Sequence, residues 1–497
     1  MNKFLRIITI VLLCAITAQA QDKKAKELDG FIKKGIADWQ IPGLAVTVVK
    51  DGAPVFTKTY GVRNQDDGTR VDEHTLFSMA STTKAMVAMA MAMLVDEGKV
   101  SWTDKVTDHV PYFKLSDPYI TADATVKDLL THNLGLGNAD LIWYGIELDA
   151  EETIKRMRHA PIAYPLRGGY VYQNIMYAVA GEVIKAASGM EWNDFVKARI
   201  LDPLGMNDTK LVSKDVKAVD NRVTPHLLND EDKRITFPTT FSDGIGPAGM
   251  IWSSISDINK YLKFIQQNGV NQGDTLIKSN TFEYLFTPQA LISKNSFYPT
   301  TQLTKPHWTS YGLGWFQHDY KGEKVDFHTG SLAGLIAING QLRDYNLSVY
   351  VFGNMDHAEL RHAIMYKVFD LYALGGDRDW RKEIFDLYEG FKAEGEANVR
   401  KAKESRVEGT KTTLELAAYA GTYKHPMYGE IIITQKDDKL HFNLNNKHQG
   451  LYEHWHYNTF SYVDEFSGLT DSQFNFEISA EGKAKILYFW GYGFVKE

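Results

Sequence analysis

The stretch "FSMASTTKAM", residues 77–86, places Ser81 three positions before Lys84 at the front of a small, Met-rich apolar run. Residues three apart share one face of a helix, so the Lys84 amine can approach the Ser81 hydroxyl. Apolar neighbours disfavour the charged form of a lysine, which suits Lys84 to act as a base. The positive end of the helix dipole favours an anion beside Ser81. Taken alone, the pair fits an ordinary helix start with a surface lysine equally well.

Two further motifs, each unique in the chain, follow this pair. "RGGYVYQNIMYAVAGEVI" contains Tyr172-x-Asn174, after a glycine pair and before an apolar helical pattern. "VDFHTGSLAGLIAING" places His328-Thr329-Gly330 at the start of a β-run. A tyrosine in such a loop is usually a half-buried aromatic side chain, and a lone histidine at a strand start is usually structural. Neither motif decides the function by itself.

The order, uniqueness and spacing of the three motifs carry a resemblance. Ser-x-x-Lys, Tyr-x-Asn and His-Thr-Gly, in that order, resemble the motifs of the serine β-lactamase and penicillin-binding-protein superfamily. The nearest branch is similar to class C β-lactamases and their relatives, and the flanking text "VKDLLTHNLGL", "AGMIWSSISDINKYLKF" and "YGLGW" agrees with it. The resemblance covers roughly residues 25–370.

The resemblance implies a role for each motif residue. Ser81 is the acylated nucleophile and Lys84 its proton acceptor, while Tyr172 relays a proton to or from the leaving group. Asn174 holds the acyl-side amide of the substrate, and the backbone N–H groups of Ser81 and Ser331 form the oxyanion hole. Such donors are each worth on the order of 3 kcal/mol in the transition state. Lys84 and Tyr172 are the candidate bases for deacylation by water.

The third motif departs from the family pattern at His328, where the β-lactamases proper have lysine. The resemblance places His328, Thr329 and Gly330 at the substrate, and a histidine that is mostly neutral at pH 7 attracts a substrate carboxylate less than a fixed cation does. We therefore expect a serine hydrolase that acts on an ester or a small peptide or amide. β-Lactamase or D-Ala-D-Ala carboxypeptidase activity is the alternative. A penicillin-binding-type sensor or binding module with little turnover is the alternative from another class.

Composition narrows the partners and excludes other chemistry. The formal charge is −7, which argues against nucleic acid or an anionic membrane as partner. His454-x-His456 has no third ligand at metal spacing, so we expect no metal and no cofactor. No Gly-x-Ser-x-Gly elbow occurs in the chain. The expected partner is a small-molecule or peptide substrate, and the sequence leaves the oligomeric state open.

The order of patterns predicts a mixed α/β fold with two parts. Hairpin patterns near both ends of residues 21–375, "GLAVTVVKDGAPVFTKTYG" and "LIAINGQLRDYNLSVYVFGN", indicate an antiparallel β-lactamase-like sheet flanked by helices, with an inserted helical region between the hairpins. Residues 376–412 form a charged helical linker. Residues 413–497 alternate in short strands and predict a small all-β barrel, which resembles the lipocalin-like domain that often follows such hydrolases.

The first twenty residues read as a secretory signal peptide. "MNKFLRIITIVLLCAITAQA" has a basic start, an apolar stretch too short to span a bilayer, and Ala18-Gln19-Ala20 before the expected cleavage at Gln21. The protein is therefore expected to be exported, to the periplasm or the extracellular space. Since Cys14 is the sole cysteine, the mature chain has no disulfide, and its stability must come from its core.

Overall fold

The computed structural model describes residues 21–229, 231–464 and 470–497. The predicted signal peptide, residues 1–20, lies outside the described residues. The predicted fold class is confirmed, because the chain forms a large antiparallel sheet flanked by helices and, after it, a closed eight-stranded barrel.

The large sheet has eight strands in the order β2-β1-β8-β7-β6-β5-β4-β3, all paired antiparallel. Chain order and spatial order differ because the last strand, β8, pairs with β1, and the region between β2 and β3 forms the helical insertion. The strands are β1 (Gly43–Lys50), β2 (Ala53–Gly61), β3 (Ala290–Leu291), β4 (Thr309–Tyr311), β5 (Phe316–Tyr320), β6 (Glu323–Leu332), β7 (Leu335–Leu342) and β8 (Leu347–Gly353).

Both faces of this sheet are buried, each against its own apolar core. Strand β1 shows why, since its alternate side chains point to opposite faces. Leu44 and Val46 pack with one core, together with Leu28 and Leu360 from helices at the two ends of the region. Ala45 on the other face packs with the second core, which includes the inserted helices. The sheet is thus the middle layer of three.

Six longer helices surround the sheet or lead away from it. They are α1 (21–38), α2 (Thr83–Asp96), α3 (Asn174–Ser188), α4 (Ile255–Gln266), α5 (Leu360–Phe369) and α6 (Trp380–Glu404). The shorter α-helices are Val106–His109, Pro118–Asp123, Val126–Leu129, Leu141–Gly145, Ala150–Arg156, Trp192–Val196, Asp202–Leu204, Ser213–Lys217, Gly246–Gly249, Ser279–Leu285, Thr301–Thr304 and Leu416–Tyr419.

Short helical turns and strand pairs complete these elements. The 3₁₀ turns are Ala80–Thr82, Met157–His159, Asp243–Ile245, Lys294–Ser296 and Arg343–Tyr345, and the π-helical turns are Lys197–Leu201 and Asp370–Leu374. The two-stranded pairs are Phe77–Ser78 with Trp252–Ser253, His226–Leu228 with Arg234–Thr236, and Val270–Asn271 with Asp274–Thr275.

Helix α2 is the central helix of the structure. Its residues from Thr83 to Leu94, "TKAMVAMAMAML", are all buried, as expected of a helix that is apolar all round. Alanines alternate with methionines, and these small and adaptable side chains let neighbouring elements approach closely. The helix therefore places the residues at its N-terminus, Ser81 and Lys84, inside the molecule.

The C-terminal part closes into a barrel. Its strands are β9 (Gly421–His425), β10 (Gly429–Lys436), β11 (Lys439–Leu444), β12 (His448–His456), β13 (Thr459–Asp464), β14 (Thr470–Ile478), β15 (Ala484–Phe489) and β16 (Tyr492–Lys496), and β9 pairs with β16 to close the ring. In β11 the side chains alternate between buried and half-buried, as expected when one face lines a barrel interior. The two-residue turn between β10 and β11 lies at Asp437-Asp438.

The barrel is packed against the rest of the chain. Helix α6 leaves the sheet region with Trp380 and Ile384 buried at its start and leads on toward the barrel. The aromatic and aliphatic residues inside the barrel belong to the same continuous apolar cluster as the inserted helices. Within the described part of the chain, no helix is both long and apolar enough to cross a membrane.

Candidate active site

The start of helix α2 presents Ser81 to a pocket. Ala80, directly before it, has a φ of +43°, an uncommon backbone conformation for a residue with a Cβ. The backbone N–H of Met79 donates to the Ile251 carbonyl at 2.8 Å, which fixes the chain just before this turn. Ser81 is half-buried between buried neighbours, so its hydroxyl is held in place and still reachable.

Lys84 lies one helical turn further on, fully buried, and its Nζ contacts three oxygens. The distances are 3.1 Å to Ser81 Oγ, 2.8 Å to Asn174 Oδ1 and 2.7 Å to the Ala248 carbonyl. The predicted residues Ser81, Lys84 and Asn174 are therefore brought together, although Asn174 stands ninety residues further along the chain at the start of α3.

Burial lowers the pKa of Lys84 well below that of an ordinary lysine, and the charge of Asp140 opposes this only in part. The pKa of Tyr172 changes in the opposite direction. Burial raises the pKa of its phenol well above the usual value, with a smaller lowering from the nearby Ser81 hydroxyl. Its Oη is buried without a well-aligned hydrogen-bond partner, and its ring faces Lys84 Nζ, 4.8 Å from the ring centre. The lysine is therefore easier to neutralise and the tyrosine harder to ionise than in water.

A chain of contacts runs from Asn174 to one wall of the pocket. Asn174 Nδ2 donates to Asp140 Oδ1 at 3.1 Å, and the same oxygen accepts the indole N–H of Trp143 at 2.8 Å. Asp140 thus joins the polar centre of the site to a large aromatic side chain. No sequence motif marks Asp140 or Trp143.

The third motif lies on strand β6, which passes directly against the serine. A Cβ on Gly330 would stand 2.3 Å from the Met79 carbonyl oxygen and 3.0 Å from the Ser81 nitrogen. Only glycine fits at this approach. Ser331 follows at the edge of the pocket that Ser81 also lines. Strand β6 thus brings Ser331 to the same pocket as Ser81, and the oxyanion hole formed by their backbone N–H groups stays a prediction.

A buried ion pair supports this end of β6 from behind. Arg361 donates to the Gly330 carbonyl at 2.5 Å and to Ser331 Oγ at 2.9 Å, and its other nitrogens bind Glu359. His362 Nδ1 lies 2.8 Å from the same carboxylate. Burial opposes ionisation of Glu359, yet Arg361 and His362 hold its pKa well below the usual value. This group lies at the start of helix α5 in "HAELRHAIM", and no sequence motif predicted it.

His328 is buried rather than open to the pocket. Its Nε2 lies 2.8 Å from the Tyr311 hydroxyl, and its Nδ1 lies 2.6 Å from the Thr329 carbonyl. Burial, with a contribution from the charge of Lys84, lowers its pKa to about 3, so the ring is neutral at physiological pH. Thr329 is also buried, and its hydroxyl bonds to Tyr298. The pocket lining includes Ser331 but neither His328 nor Thr329.

An aromatic cluster fills the space behind Tyr172. The His132 ring lies 4.2 Å from the Tyr172 ring and 4.7 Å from the Tyr311 ring, centre to centre. His132 Nδ1 accepts the Gln173 backbone N–H at 3.0 Å, and burial keeps the pKa of His132 well below the usual value. The ring therefore stays neutral and fixes the backbone between Tyr172 and Asn174. His132 stands in the stretch "LLTHNLGL", and no motif predicted a role for it.

The pocket beside Ser81 is small, with a volume of about 70 Å³. Its lining is mostly apolar or hydroxylic and holds no lysine or arginine. The lining residues are Ala80, Ser81, Trp143, Asn174, Thr240, Ser242, Ile245, Ala248, Gly249, Met250, Ser331 and Leu332. Across the described ranges, no group of three or more His, Cys, Asp or Glu side chains is placed to hold a metal ion.

Comparison with protein families decides the classification. Residues 28–370 match the model of the Beta-lactamase family, which is more than half of the chain. The chain belongs to the beta-lactamase family. Residues 405–489, which include most of the barrel, match a domain of unknown function, DUF3471. The resemblance that the three motifs carry is thus confirmed.

Relatives of this beta-lactamase-family protein include named hydrolases. The unguisins hydrolase UngD of Aspergillus violaceofuscus is 28% identical over 458 residues, which cover 85% of this chain and 80% of that protein. Its counterpart in Aspergillus campestris is 25% identical with the same coverage. Protein Flp of Staphylococcus aureus is 22% identical and covers 67% of this chain and 63% of its own length. The chain is accordingly a hydrolase of this family.

Solved structures agree on the fold of this beta-lactamase-family chain. The octameric penicillin-binding protein homologue from Pyrococcus abyssi aligns with a TM-score of 0.63 at 23% identity, covering 95% of this chain and 99% of that one. A crystal structure of SurE aligns with a TM-score of 0.56 at 16% identity, covering 97% of this chain and all of that one. At these identities the likeness speaks for the fold, which includes the barrel.

Proposed function

We propose that this protein is an exported serine hydrolase that forms an acyl-enzyme on Ser81 and acts on an ester or a small peptide or amide. The observation that carries the proposal is the set of three oxygens around the buried amine of Lys84. Family membership supports hydrolysis as the reaction, and the two Aspergillus relatives are named as hydrolases. The proposal adds to this the roles of individual residues and the class of substrate.

The three contacts suit a neutral amine poised on the serine. An ammonium has three N–H donors and no acceptor, whereas a neutral amine has two N–H donors and one lone pair. The Asn174 side-chain oxygen and the Ala248 carbonyl can only accept, so they take the two N–H groups. The lone pair is then left for the hydroxyl hydrogen of Ser81. Since burial lowers the pKa of Lys84 well below that of an ordinary lysine, this neutral form is easier to reach than for a lysine in water.

Acylation follows from this arrangement. Ser81 Oγ attacks the substrate carbonyl carbon while Lys84 Nζ takes the hydroxyl proton, and the carbonyl oxygen becomes an oxyanion. The backbone N–H groups of Ser81 and Ser331 stabilise that oxyanion. When the tetrahedral intermediate collapses, the bond to the leaving group breaks. The leaving group receives the proton that Lys84 carries, directly or through the Tyr172 hydroxyl, and the acyl group stays on Ser81.

Deacylation needs a base for the attacking water, and the electrostatics favour Lys84 over Tyr172. A tyrosine whose pKa is raised well above 10 is mostly protonated at neutral pH, so it is a poor base. A lysine whose pKa is lowered is neutral after it has given its proton to the leaving group. Lys84 then takes a proton from water, whose oxygen attacks the ester carbonyl carbon. When this second intermediate collapses, the bond from that carbon to Ser81 Oγ breaks, Lys84 returns the proton to Oγ, and the acyl group leaves as a carboxylic acid. Tyr172 remains a hydrogen-bond donor.

The pocket supports a substrate with a small, uncharged acyl group. Its lining offers no cation for a carboxylate, and neutral His328 does not supply one. A volume of about 70 Å³ is well below the roughly 300–1,000 Å³ of pockets for drug-sized ligands. The N-terminal stretch 1–20 supports export, which sequencing the N-terminus of the secreted protein tests: a mature chain that begins at Gln21 is expected.

The proposed function is tested with mature protein from Gln21, as wild type and Ser81→Ala. The substrates are p-nitrophenyl acetate, D-alanine p-nitroanilide and a chromogenic cephalosporin. We expect wild type to turn over the ester or the anilide and to turn over the cephalosporin only slowly. Ser81→Ala is expected to lose all of this turnover. Fast cephalosporin turnover would contradict the proposed substrate class. Equal rates for wild type and Ser81→Ala on all three would refute the role of Ser81.

A further inference from the structure

The wall of the pocket that carries Trp143 is held by the barrel. The segment 138–145 runs along the barrel surface before and through the short helix Leu141–Gly145. Lys447 Nζ donates to the Trp143 carbonyl at 3.2 Å, and Asn445 Nδ2 donates to the Gly145 carbonyl at 3.0 Å. Both donors lie in the turn between β11 and β12, some three hundred residues further along the chain.

Stacking and further hydrogen bonds add to this hold. The Tyr144 ring stacks on the His448 ring with centres 5.0 Å apart, and the Trp490 ring lies 5.9 Å from it. His448 Nε2 lies 3.1 Å from the Tyr144 carbonyl, and the Tyr492 hydroxyl donates to the Asn138 carbonyl at 3.4 Å. Contacts from two barrel strands and two turns thus meet on segment 138–145.

The turn itself is rigidly built. Asn445 Oδ1 accepts the Glu430 backbone N–H at 2.9 Å, and Asn445 Nδ2 also donates to the Tyr428 carbonyl at 2.9 Å. Asn445 and Asn446 have φ values of +52° and +58°, a conformation that asparagine tolerates better than most residues. The donors that hold segment 138–145 are therefore fixed to the barrel wall before they reach it.

This segment borders the reacting groups on its other side. Trp143 lines the pocket next to Ser81. Asp140 accepts hydrogen bonds from Trp143 and from Asn174, and Asn174 accepts one from Lys84. A displacement of the segment therefore moves the pocket wall directly, and it shifts Lys84 indirectly through Asp140 and Asn174.

We propose that the barrel turn Asn445–His448 is a positioning element that fixes the Trp143 wall and so sets the size of the acyl group that the site accepts. This inference rests on the proposed function, whose acyl pocket it concerns. None of the barrel side chains that the structure describes lines the pocket, so they act through segment 138–145. Most of their bonds go to backbone carbonyls, so they hold the path of the segment rather than one particular side chain.

The size of the pocket makes the position of this wall matter. At about 70 Å³ the pocket admits a short acyl chain, and a shift of the indole changes that volume by a large fraction. With the wall released, a longer acyl chain is accommodated more easily. At the same time the Asp140–Asn174–Lys84 contacts loosen, which slows the reaction of every substrate. The predicted signature is therefore a change in selectivity together with a loss of rate.

The variant that tests this is Lys447→Met in the full-length mature protein, since methionine keeps the apolar stem and removes the donor. Lys447→Arg keeps a donor and serves as the conservative rescue. Lys439→Met is the matched control, because Lys439 is a barrel lysine whose described partner is the exposed carboxylate of Glu453. Thermal unfolding of all three variants shows whether the barrel remains folded.

The first readout is amide hydrogen exchange of segment 138–145, which does not depend on activity. We expect exchange in Lys447→Met to be about fivefold faster than in wild type, with Lys447→Arg and Lys439→Met unchanged. Equal exchange in Lys447→Met and Lys439→Met would overturn the claim that the turn holds the segment. This comparison stands even if the proposed function fails.

The second readout is the ratio of kcat/KM for p-nitrophenyl octanoate to that for p-nitrophenyl acetate. We expect this ratio to rise about fivefold in Lys447→Met and to return toward wild type in Lys447→Arg. Faster exchange with an unchanged ratio would overturn the role in substrate selection. If wild type shows no Ser81-dependent turnover of any ester, the proposed function and this part of the inference fall together.

Discussion

The two sides of the pocket are built differently. Ser81, Lys84 and Gly330 on one side are held by elements of the beta-lactamase-family region, with short contacts inside a buried core. On the other side, Trp143 belongs to segment 138–145, whose backbone carbonyls are bound by side chains of the barrel. The catalytic side is thus set within residues 28–370, and the opposite wall depends on a second structural unit.

This difference suggests a division of labour between chemistry and selection. In the proposed mechanism, proton transfer between Ser81 and Lys84 depends on distances of about 3 Å and on exclusion of water, and both come from the buried helix α2. Selection of the substrate depends on the shape of the opposite wall. Changes on the catalytic side are therefore expected to affect all substrates alike, whereas changes on the barrel side alter the ratio between substrates.

The largest effect is expected for Lys84→Met, which removes the base and keeps the length of the side chain. kcat/KM is expected to fall on the order of 10³-fold, by a similar factor for acetate and octanoate esters. Steady-state kinetics with both esters measure this. A loss confined to one of the two esters would contradict this division between the two sides of the pocket, because Lys84 would then affect the choice of substrate. Lys439→Met, which changes an exposed lysine, is the matched control.

The next effect concerns the buried ion pair behind Ser331. Arg361→Met leaves Glu359 buried with His362 and without its guanidinium, and the free energy of unfolding is expected to fall by about 3–5 kcal/mol. Denaturant unfolding measures this. Glu359→Gln with Arg361→Met is expected to cost less than the sum of the two single changes, since no buried carboxylate is left. Strict additivity would show that the pair is not coupled.

A smaller effect is expected for Gly330→Ala, which tests the close approach of β6 to the serine. The added Cβ meets the Met79 carbonyl and must push the strand away from Ser81. kcat/KM is expected to fall on the order of 10²-fold for all substrates, as for a displacement of about 1 Å. Gly30→Ala, where the added Cβ has open space, is the control. Activity within twofold of wild type would show that the strand position is not critical.

The pH dependence sharpens the assignment of the base. Lys84 must be neutral to accept a proton, so activity is present above its pKa and falls about tenfold per pH unit below it. Because burial lowers that pKa, the loss is expected well below the pH near 10.5 at which an ordinary lysine titrates. His328, with a pKa of about 3, contributes no step near pH 6.5. An activity that requires pH near 10.5 would contradict a base of lowered pKa.

The smallest effect is expected for Trp143→Phe, which keeps an aromatic ring and removes the indole N–H that binds Asp140. The octanoate-to-acetate ratio is expected to rise about threefold, with a smaller loss in the rate for acetate. Trp143 belongs to the pocket wall that is expected to select the substrate. An equal loss for both esters would place Trp143 on the catalytic side instead.

Local spacing explains how much of the site could be predicted from sequence. Ser81 and Lys84 are one helical turn apart, so their contact follows from the helix alone. Asn174 was predicted through its motif, and the structure brings it to Lys84. Asp140 and Arg361 carry no motif, and the contacts that tie them to the site, with Asn174 and with Gly330 and Ser331, join distant parts of the chain. They were accordingly missed.

The fold was predictable because its sequence patterns are local, whereas its long-range contacts were not predictable. Alternating and helical patterns predicted the antiparallel sheet, the inserted helices and the barrel, since these patterns are local. The orientation of His328 was not predictable, because β6 is buried on both faces where His328 and Thr329 lie. The contact between the turn Asn445–His448 and segment 138–145 depends on how two distant units pack. No local pattern carries that information.

The central claim, that Ser81 is acylated with Lys84 as its base, is tested most directly by mass spectrometry of acid-quenched turnover. Wild type, Ser81→Ala and Lys84→Met are mixed with p-nitrophenyl butyrate, quenched at millisecond to second intervals, and measured as intact protein and as peptides. The account predicts a butyryl adduct on the peptide that contains Ser81 in wild type, far slower adduct formation in Lys84→Met, and none in Ser81→Ala. Turnover of the ester with the adduct on another residue, or with equal adduct formation in wild type and Lys84→Met, would contradict it.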